Sequence, residues 1–235
     1  MPGRYKAILF DLDGTLVDSV HDICEAANVA LRELELPNLS ANVVRGMIGD
    51  GLPKLAERAL QEAGGRPDQL REFTARVSNY YENHATVFTR CYPAVHSVLR
   101  ELRTRGFRLG VVTNKPAAVA KNLLKDLEVL DLLEIVVGGD SLPRKPEPAQ
   151  ILEAIRVLGV DAASVMMVGD SAHDIDAAHA ADISSVAVTY GYYRSDPSTF
   201  GADHVIDSLQ ELLSKVLALT SVPDNRFPTS SARKE

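Results

Sequence analysis

The 235-residue chain is 46% hydrophobic and 24% charged, with a net charge of −7 and two cysteines. That length can bury a sizeable core, in one large domain or a core plus a small second one, without disulfide or zinc staples. The acidic balance leaves no general basic field for nucleic acid or anionic membrane. With no charged-then-apolar leader and no 18-residue apolar run, the sequence predicts a cytoplasmic protein without nucleic-acid or membrane partners.

The first strand-like run, residues 5–10, ends abruptly in Asp11 and Asp13, followed by Gly14 and Thr15. A buried strand there delivers both carboxylates to the C-terminal edge of a sheet, where open α/β sheets bind their ligands. Two carboxylates so close repel unless a cation or a shared proton relieves them. A divalent metal beside a carboxylate nucleophile uses this arrangement; an acidic turn capping a helix at Asp18 or Ser19 is the plainer alternative.

Residues 17–86 contain no convincing strand and read as about four helices. In the first, Val20, Ile23, Cys24, Ala27, Leu31 and Leu34 recur at the three-and-four spacing of one apolar face. Pro37 follows that helix, Pro53 suits the first turn of another, Gly64-Gly65 closes it, and a final helix runs from about residue 66 to 82. The block is expected to sit as an insertion over the edge that carries Asp11. Within it, Gly49 and Gly51 would let backbone N–H groups approach an anion, and Arg45 or Lys54 would pair with a carboxylate. A solvent-facing Arg45 is an equal alternative.

Beyond the insertion, strand and helix alternate. Helices are expected at 94–105, 116–128, 147–158 and 174–181, and strands at 107–113, 134–138, 164–168, 184–188 and 204–206. That order predicts an α/β protein with a Rossmann-like parallel sheet of five or six strands and crossover helices on both faces. The expected division is a core of 1–16 and 87–220, an all-helical cap of 17–86 inserted after the first strand, and a flexible tail of 221–235. Thr113 ends one strand ahead of a helix N-terminus, a ready place for a phosphoryl oxygen beside the Asn114 backbone. Lys145 stands before Pro146 on a stiffened backbone, suited to a lysine between a carboxylate and a phosphate oxygen. Asp170 and Asp174 follow the strand at 164–168 and can both aim inward, with Asp176 expected to face solvent. Hard carboxylates suit Mg²⁺ better than they suit a site built on His173. Cys24 and Cys91 read as inert, apolar thiols.

Taken in order, Asp11-Leu12-Asp13-Gly14-Thr15, Thr113, Lys145 and Gly169-Asp170-Ser171-Ala172-His173-Asp174 resemble the four motifs of the haloacid dehalogenase-like phosphohydrolases, over almost all of residues 4–219. The insertion resembles the small cap of the phosphoglycolate phosphatase and β-phosphoglucomutase branch. Asp22, the run Ile48-Gly49-Asp50-Gly51-Leu52 and the run Thr89-Arg90-Cys91-Tyr92-Pro93 match bacterial phosphoglycolate phosphatases more closely. His21, Ala94 and His173 depart from it, where proline, glycine and asparagine are usual.

The resemblance implies a Mg²⁺-dependent phosphatase acting on a small anionic phosphate ester, 2-phosphoglycolate first, through an aspartyl-phosphate on Asp11. It implies Asp11, Asp13, Thr113 and Lys145 as catalytic residues, and Asp11, Asp13 (through its carbonyl), Asp170 and Asp174 as metal ligands. Thr113, Asn114 and Lys145 would hold the phosphate; Arg45, Gly49, Gly51 and Lys54 would recognise what hangs from it. A sugar phosphomutase, a pyrophosphatase, another sugar-phosphate phosphatase and a receiver-type phospho-switch remain alternatives. A dehalogenase needs neither a second acid nor Mg²⁺, so Asp13 argues against it. A monomer or weak homodimer is expected.

Overall fold

The structure, a computed structural model, describes residues 5–192 and 195–220. The tail expected at 221–235 lies outside the described residues, as do residues 1–4. The chain opens with β1 (Ala7–Phe10) and β2 (Val17–Asp18), then α1 (Val20–Glu33), α2 (Ala41–Arg45), α3 (Leu52–Glu62) and α4 (Leu70–His84). After β3 (Arg90–Cys91) come α5 (Val95–Thr104), β4 (Arg108–Val112), α6 (Ala117–Asp126), β5 (Ile135–Val137) and α7 (Ala149–Leu158). β6 (Val165–Gly169), α8 (Ala172–Ala180), β7 (Ser184–Val188), β8 (His204–Ile206) and α9 (Leu209–Thr220) complete it.

Six strands form one parallel sheet in the order β5-β4-β1-β6-β7-β8. β1 is central, and the chain fills one side of it before crossing to the other. The C-terminal ends of β1, β4 and β6 therefore flank the crevice at which such sheets bind ligands. β1 is apolar throughout because helices cover both faces. Ile8 and Phe10 pack with Leu99, Leu109, Leu123 and Leu124 on one face. Ala7 and Leu9 pack with Ile151, Leu158, Met167 and Ala177 on the other. This is the alternation that an extended chain imposes.

The inserted helices have a core of their own, built from Ile23, Ala30, Leu31, Leu55, Ala59, Leu60, Phe73 and Val77. Of the apolar face expected for the first helix, Val20, Ile23, Cys24, Ala27 and Leu31 are buried, whereas Leu34 is the half-buried residue that ends it. Both crossings between insertion and sheet run side by side, β2 and β3 pairing antiparallel with Val17 opposite Cys91. Asp22, buried in the first turn of α1, ties the return crossing down. Its carboxylate accepts from Phe88 N at 3.0 Å, Thr89 N at 2.8 Å and Thr89 Oγ1 at 2.7 Å. Ala94, at the entry to α5, adopts φ +67°. That left-handed backbone explains why the resembled branch has glycine there.

Candidate active site

Asp11 is the first residue past β1, fixed by its N–H to Val168 O at 2.9 Å. β6 ends at Gly169, so Asp170 stands beside it, and Asp174 follows on the first turn of α8. All three are buried, and one carboxylate oxygen from each lies within 4.8 Å of the others. The packing leaves no slack. Gly14 has φ +87°, and a Cβ there would come within 2.1 Å of Asp170 Oδ2. On the other side, a Cβ on Gly191 would come within 2.3 Å of Asp170 Cβ. Asp170 Oδ2 accepts from Tyr192 N at 2.6 Å, and Asp174 Oδ2 accepts from Ser171 N and Ser171 Oγ in the capping box of α8.

Lys145 enters from the loop after β5. Its ammonium donates to Asp11 Oδ1 at 2.7 Å, Asp174 Oδ1 at 2.5 Å and Val112 O at 2.8 Å, which uses all three N–H groups. Asn114 aims the loop: its amide accepts from Lys145 N and donates to Lys145 O, both at 3.0 Å. Thr113 is buried beside it, and its Oγ1 accepts from Lys115 N at 3.2 Å, leaving the hydroxyl proton for a ligand oxygen.

Charge in this pocket is unbalanced. Three buried carboxylates face one ammonium, and taking them from water disfavours their ionised forms. Burial, reinforced by Asp174 and Asp13 and opposed by Lys145, pushes Asp11 up to about 7. Burial and the neighbouring Asp11 and Asp174 charges also hold Asp170 well above the ordinary carboxylate range. Lys145 would be depressed by burial, but Asp11 and Asp174 outweigh that and hold it above the usual lysine value. A hard divalent cation fits this donor set, which is all oxygen, rigidly seated and short of positive charge.

Asp13 lines the cavity with Asp11 but has partners of its own. Its Oδ1 accepts from Ser19 Oγ at 2.5 Å and Lys115 Nζ at 2.6 Å. Ser19 is free to do this because Tyr192, from the segment after β7, caps α1 in its place. The Tyr192 hydroxyl accepts from Ser19 N at 2.5 Å and Val20 N at 3.0 Å, and donates to Asp18 Oδ1 at 2.5 Å. Ser19 does stand at the N-cap of α1, and Asp18 Oδ1 also accepts from Val20 N at 3.4 Å, so the turn caps the helix as well as carrying Asp11 and Asp13 to the cavity.

The sheet edge and the insertion enclose a cavity of about 170 Å³. Asp11, Asp13, Thr113, Asn114, Lys145, Asp170 and Asp174 line its floor, and Gly49 and Gly51 line its cap side. The glycine turn is docked on the core: Asn114 Nδ2 donates to Gly49 O at 2.8 Å, and Asp50 pairs with Arg58 and with His173 Nδ1, the latter at 3.1 Å. Two expected residues lie elsewhere. Lys54 is exposed and paired with Glu57 at 2.7 Å. Arg45 stacks over the Tyr192 ring, 5.5 Å from its centroid, and its buried Nε has no hydrogen-bond partner among the described residues. Asp176 is exposed, as expected.

Lys115 and Tyr81 were not singled out from the sequence. Lys115 is buried, and its ammonium also donates to Tyr81 Oη at 2.9 Å, from α4 of the cap. Burial would depress it, yet Asp13 and Tyr81 hold it above the ordinary lysine value. Its only trace in the sequence is its place one residue beyond Asn114. Burial also pushes up both cysteine thiols, Cys91 to about 11, so neither is poised as a nucleophile. No helix among the described residues is long and apolar enough to cross a membrane.

Comparison with known proteins agrees with this geometry. The profile of the family described as haloacid dehalogenase-like hydrolase matches residues 8–188. A phosphoglycolate phosphatase of Neisseria gonorrhoeae is 41% identical over 220 residues, covering 88% of this chain and 91% of the relative. A plasmid-borne phosphoglycolate phosphatase of Cupriavidus necator is 43% identical over 211 residues, covering 88% and 90%. The crystal structure of a predicted phosphoglycolate phosphatase from Haemophilus somnus 129PT superposes with a TM-score of 0.85 at 34% identity, covering 90% of this chain and 98% of that one. With the motif acids gathered at one sheet edge beneath a helical insertion, the chain belongs to the haloacid dehalogenase-like hydrolases, in the phosphoglycolate-phosphatase branch.

Proposed function

We propose that the protein is a cytoplasmic, Mg²⁺-dependent phosphatase that hydrolyses 2-phosphoglycolate to glycolate and phosphate. Residues 17–86 would form its cap, over a core of 1–16 and 87–220. One observation carries the reading: Asp11 shares a buried cluster with Asp170 and Asp174, bridged to Asp174 by Lys145, and the acid Asp13, Thr113 and Asn114 line the same cavity.

Asp11 attacks phosphorus in line, and the bond from phosphorus to the ester oxygen breaks as Asp13 gives that oxygen a proton. Asp13 then takes a proton from water, which attacks phosphorus of the aspartyl-phosphate and releases Asp11 and inorganic phosphate. Lys145, the Thr113 hydroxyl and the Asn114 backbone hold the transferring group, and positioning of this kind supplies most of the catalysis in phosphoryl transfer. Mg²⁺, held by Asp11, Asp170, Asp174 and the Asp13 carbonyl, would offset the combined negative charge of carboxylates and phosphate. The cavity supports a small substrate, since sites that engulf drug-sized ligands run to roughly 300–1,000 Å³.

A panel of phosphomonoesters ranked by kcat/KM, with Mg²⁺ and with EDTA, tests the reading. 2-Phosphoglycolate should rank first and release phosphate only with the metal. A flat ranking, or isomerisation of a sugar phosphate without phosphate release, would overturn it.

A further inference from the structure

We infer that Lys115, rather than a residue on the outer part of the cap, reads the carboxylate of the substrate, so that the site selects phosphate esters of 2-hydroxy acids. The inference rests on the functional reading above and adds the group that sets its specificity. In that reading Asp13 protonates the ester oxygen. The carboxylate carbon of a 2-phosphooxy acid is two bonds from that oxygen, which places its carboxylate oxygens about 2.6–3.6 Å from it. Lys115 Nζ is 2.6 Å from Asp13 Oδ1 and lines the same cavity. An ammonium so placed meets the carboxylate of a substrate whose ester oxygen faces Asp13.

The other described cations on the wall are committed. Lys145 has all three N–H groups engaged, and His173 faces Asp50. Lys115 gives two N–H groups, to Asp13 and Tyr81, and keeps a third. Lys54 and Arg45 do not line the cavity. The cap side of the wall is mostly apolar, with Ile23, Ala26, Leu52, Leu55 and Val77 beside Ser78, Tyr81, Glu82 and the Gly49 and Gly51 turn, and among the described residues it offers a carboxylate no cation. Tyr81 belongs to the cap, so its hydroxyl, 2.9 Å from Lys115 Nζ, fixes the ammonium when the cap sits on the core.

The test compares 2-phosphoglycolate with ethyl phosphate, which lacks the carboxylate, in wild type, Lys115→Met and Tyr81→Phe at saturating Mg²⁺. Wild type should prefer 2-phosphoglycolate by about 10²-fold or more in kcat/KM, the range expected for a desolvated charge pair. Lys115→Met should lose most of that preference, its loss on ethyl phosphate being much the smaller. Tyr81→Phe, which keeps the ring and removes only the hydroxyl, should raise KM for 2-phosphoglycolate several-fold and leave KM for ethyl phosphate in place. If Lys115→Met does not fold, the Tyr81→Phe comparison decides. Equal losses on both esters would mean that Lys115 only positions Asp13, and would overturn the inference while the substrate reading stands. A wild type that does not distinguish the two esters would sink both.

Discussion

Asp11→Asn should lower kcat by about 10⁴–10⁶-fold, the loss typical of removing a covalent nucleophile, while the protein stays folded. The amide has the shape of the carboxylate but no charge and little nucleophilicity. Stability should not fall with it. Burial and the neighbouring acids push Asp11 up to about 7, so its ionised form is unwelcome in the metal-free fold. Removing that charge relieves the repulsion with Asp174 and leaves Lys145 its contacts with Asp174 and Val112 O. Turnover and thermal unfolding measured on one preparation check both halves. Near-normal turnover, or loss of the fold, would contradict them.

Withdrawing the divalent cation should lower turnover by about 10³-fold or more, since metal stabilisation of transition-state charge is worth several kcal/mol. It should also change how stability depends on pH. The Asp11 carboxyl has a folded pKa of about 7 against an ordinary 3.8, so between those values the native state holds more protons than the unfolded one. Stability contributed at this site is therefore present at low pH and lost as pH rises from about 4 to about 7. Asp170, also raised, acts with the same sign. Metal binding needs the ionised carboxylates, so the two effects oppose each other, and the rise in Tm caused by Mg²⁺ should grow from pH 5 to pH 8. Paired melts in Mg²⁺ and EDTA across that range measure it. A Mg²⁺ shift that is constant with pH, or absent, would contradict the assignment of the cluster as the metal site.

The carboxylate cluster was legible in the sequence because Asp11 and Asp170 each follow an apolar run, with Asp174 four residues beyond, and a parallel sheet brings the ends of such runs to one edge. Asp11 after β1 and Asp170 after β6 needed only that rule, and Lys145 needed the stiff loop around Pro146. The apolar spacing of α1 likewise announced its buried face. What the spacing could not show was direction across long separations. Lys115 meets Asp13 across 102 residues and Tyr81 across 34, and nothing local tells a lysine past a strand end which way to turn. Tyr192 reaches the N-terminus of α1 across 172 residues and shares the Val20 N–H with Asp18, the local cap that the sequence offered as the plainer alternative. Lys54 beside a glycine turn looked like an anion ligand. Yet α3 buries Leu55, Ala56 and Ala59, which turns Lys54 outward to pair with Glu57.

The central claim is that Asp11 is transiently phosphorylated by the substrate. Mixing the Mg²⁺-loaded enzyme with 2-phosphoglycolate, quenching in acid within one turnover and locating phosphate on the digested chain tests it most directly. The account predicts a hydroxylamine-labile phosphoryl group on the peptide that contains Asp11, formed and lost at rates that match turnover. Complete turnover with no phosphoryl group on Asp11 at any quench time would contradict it.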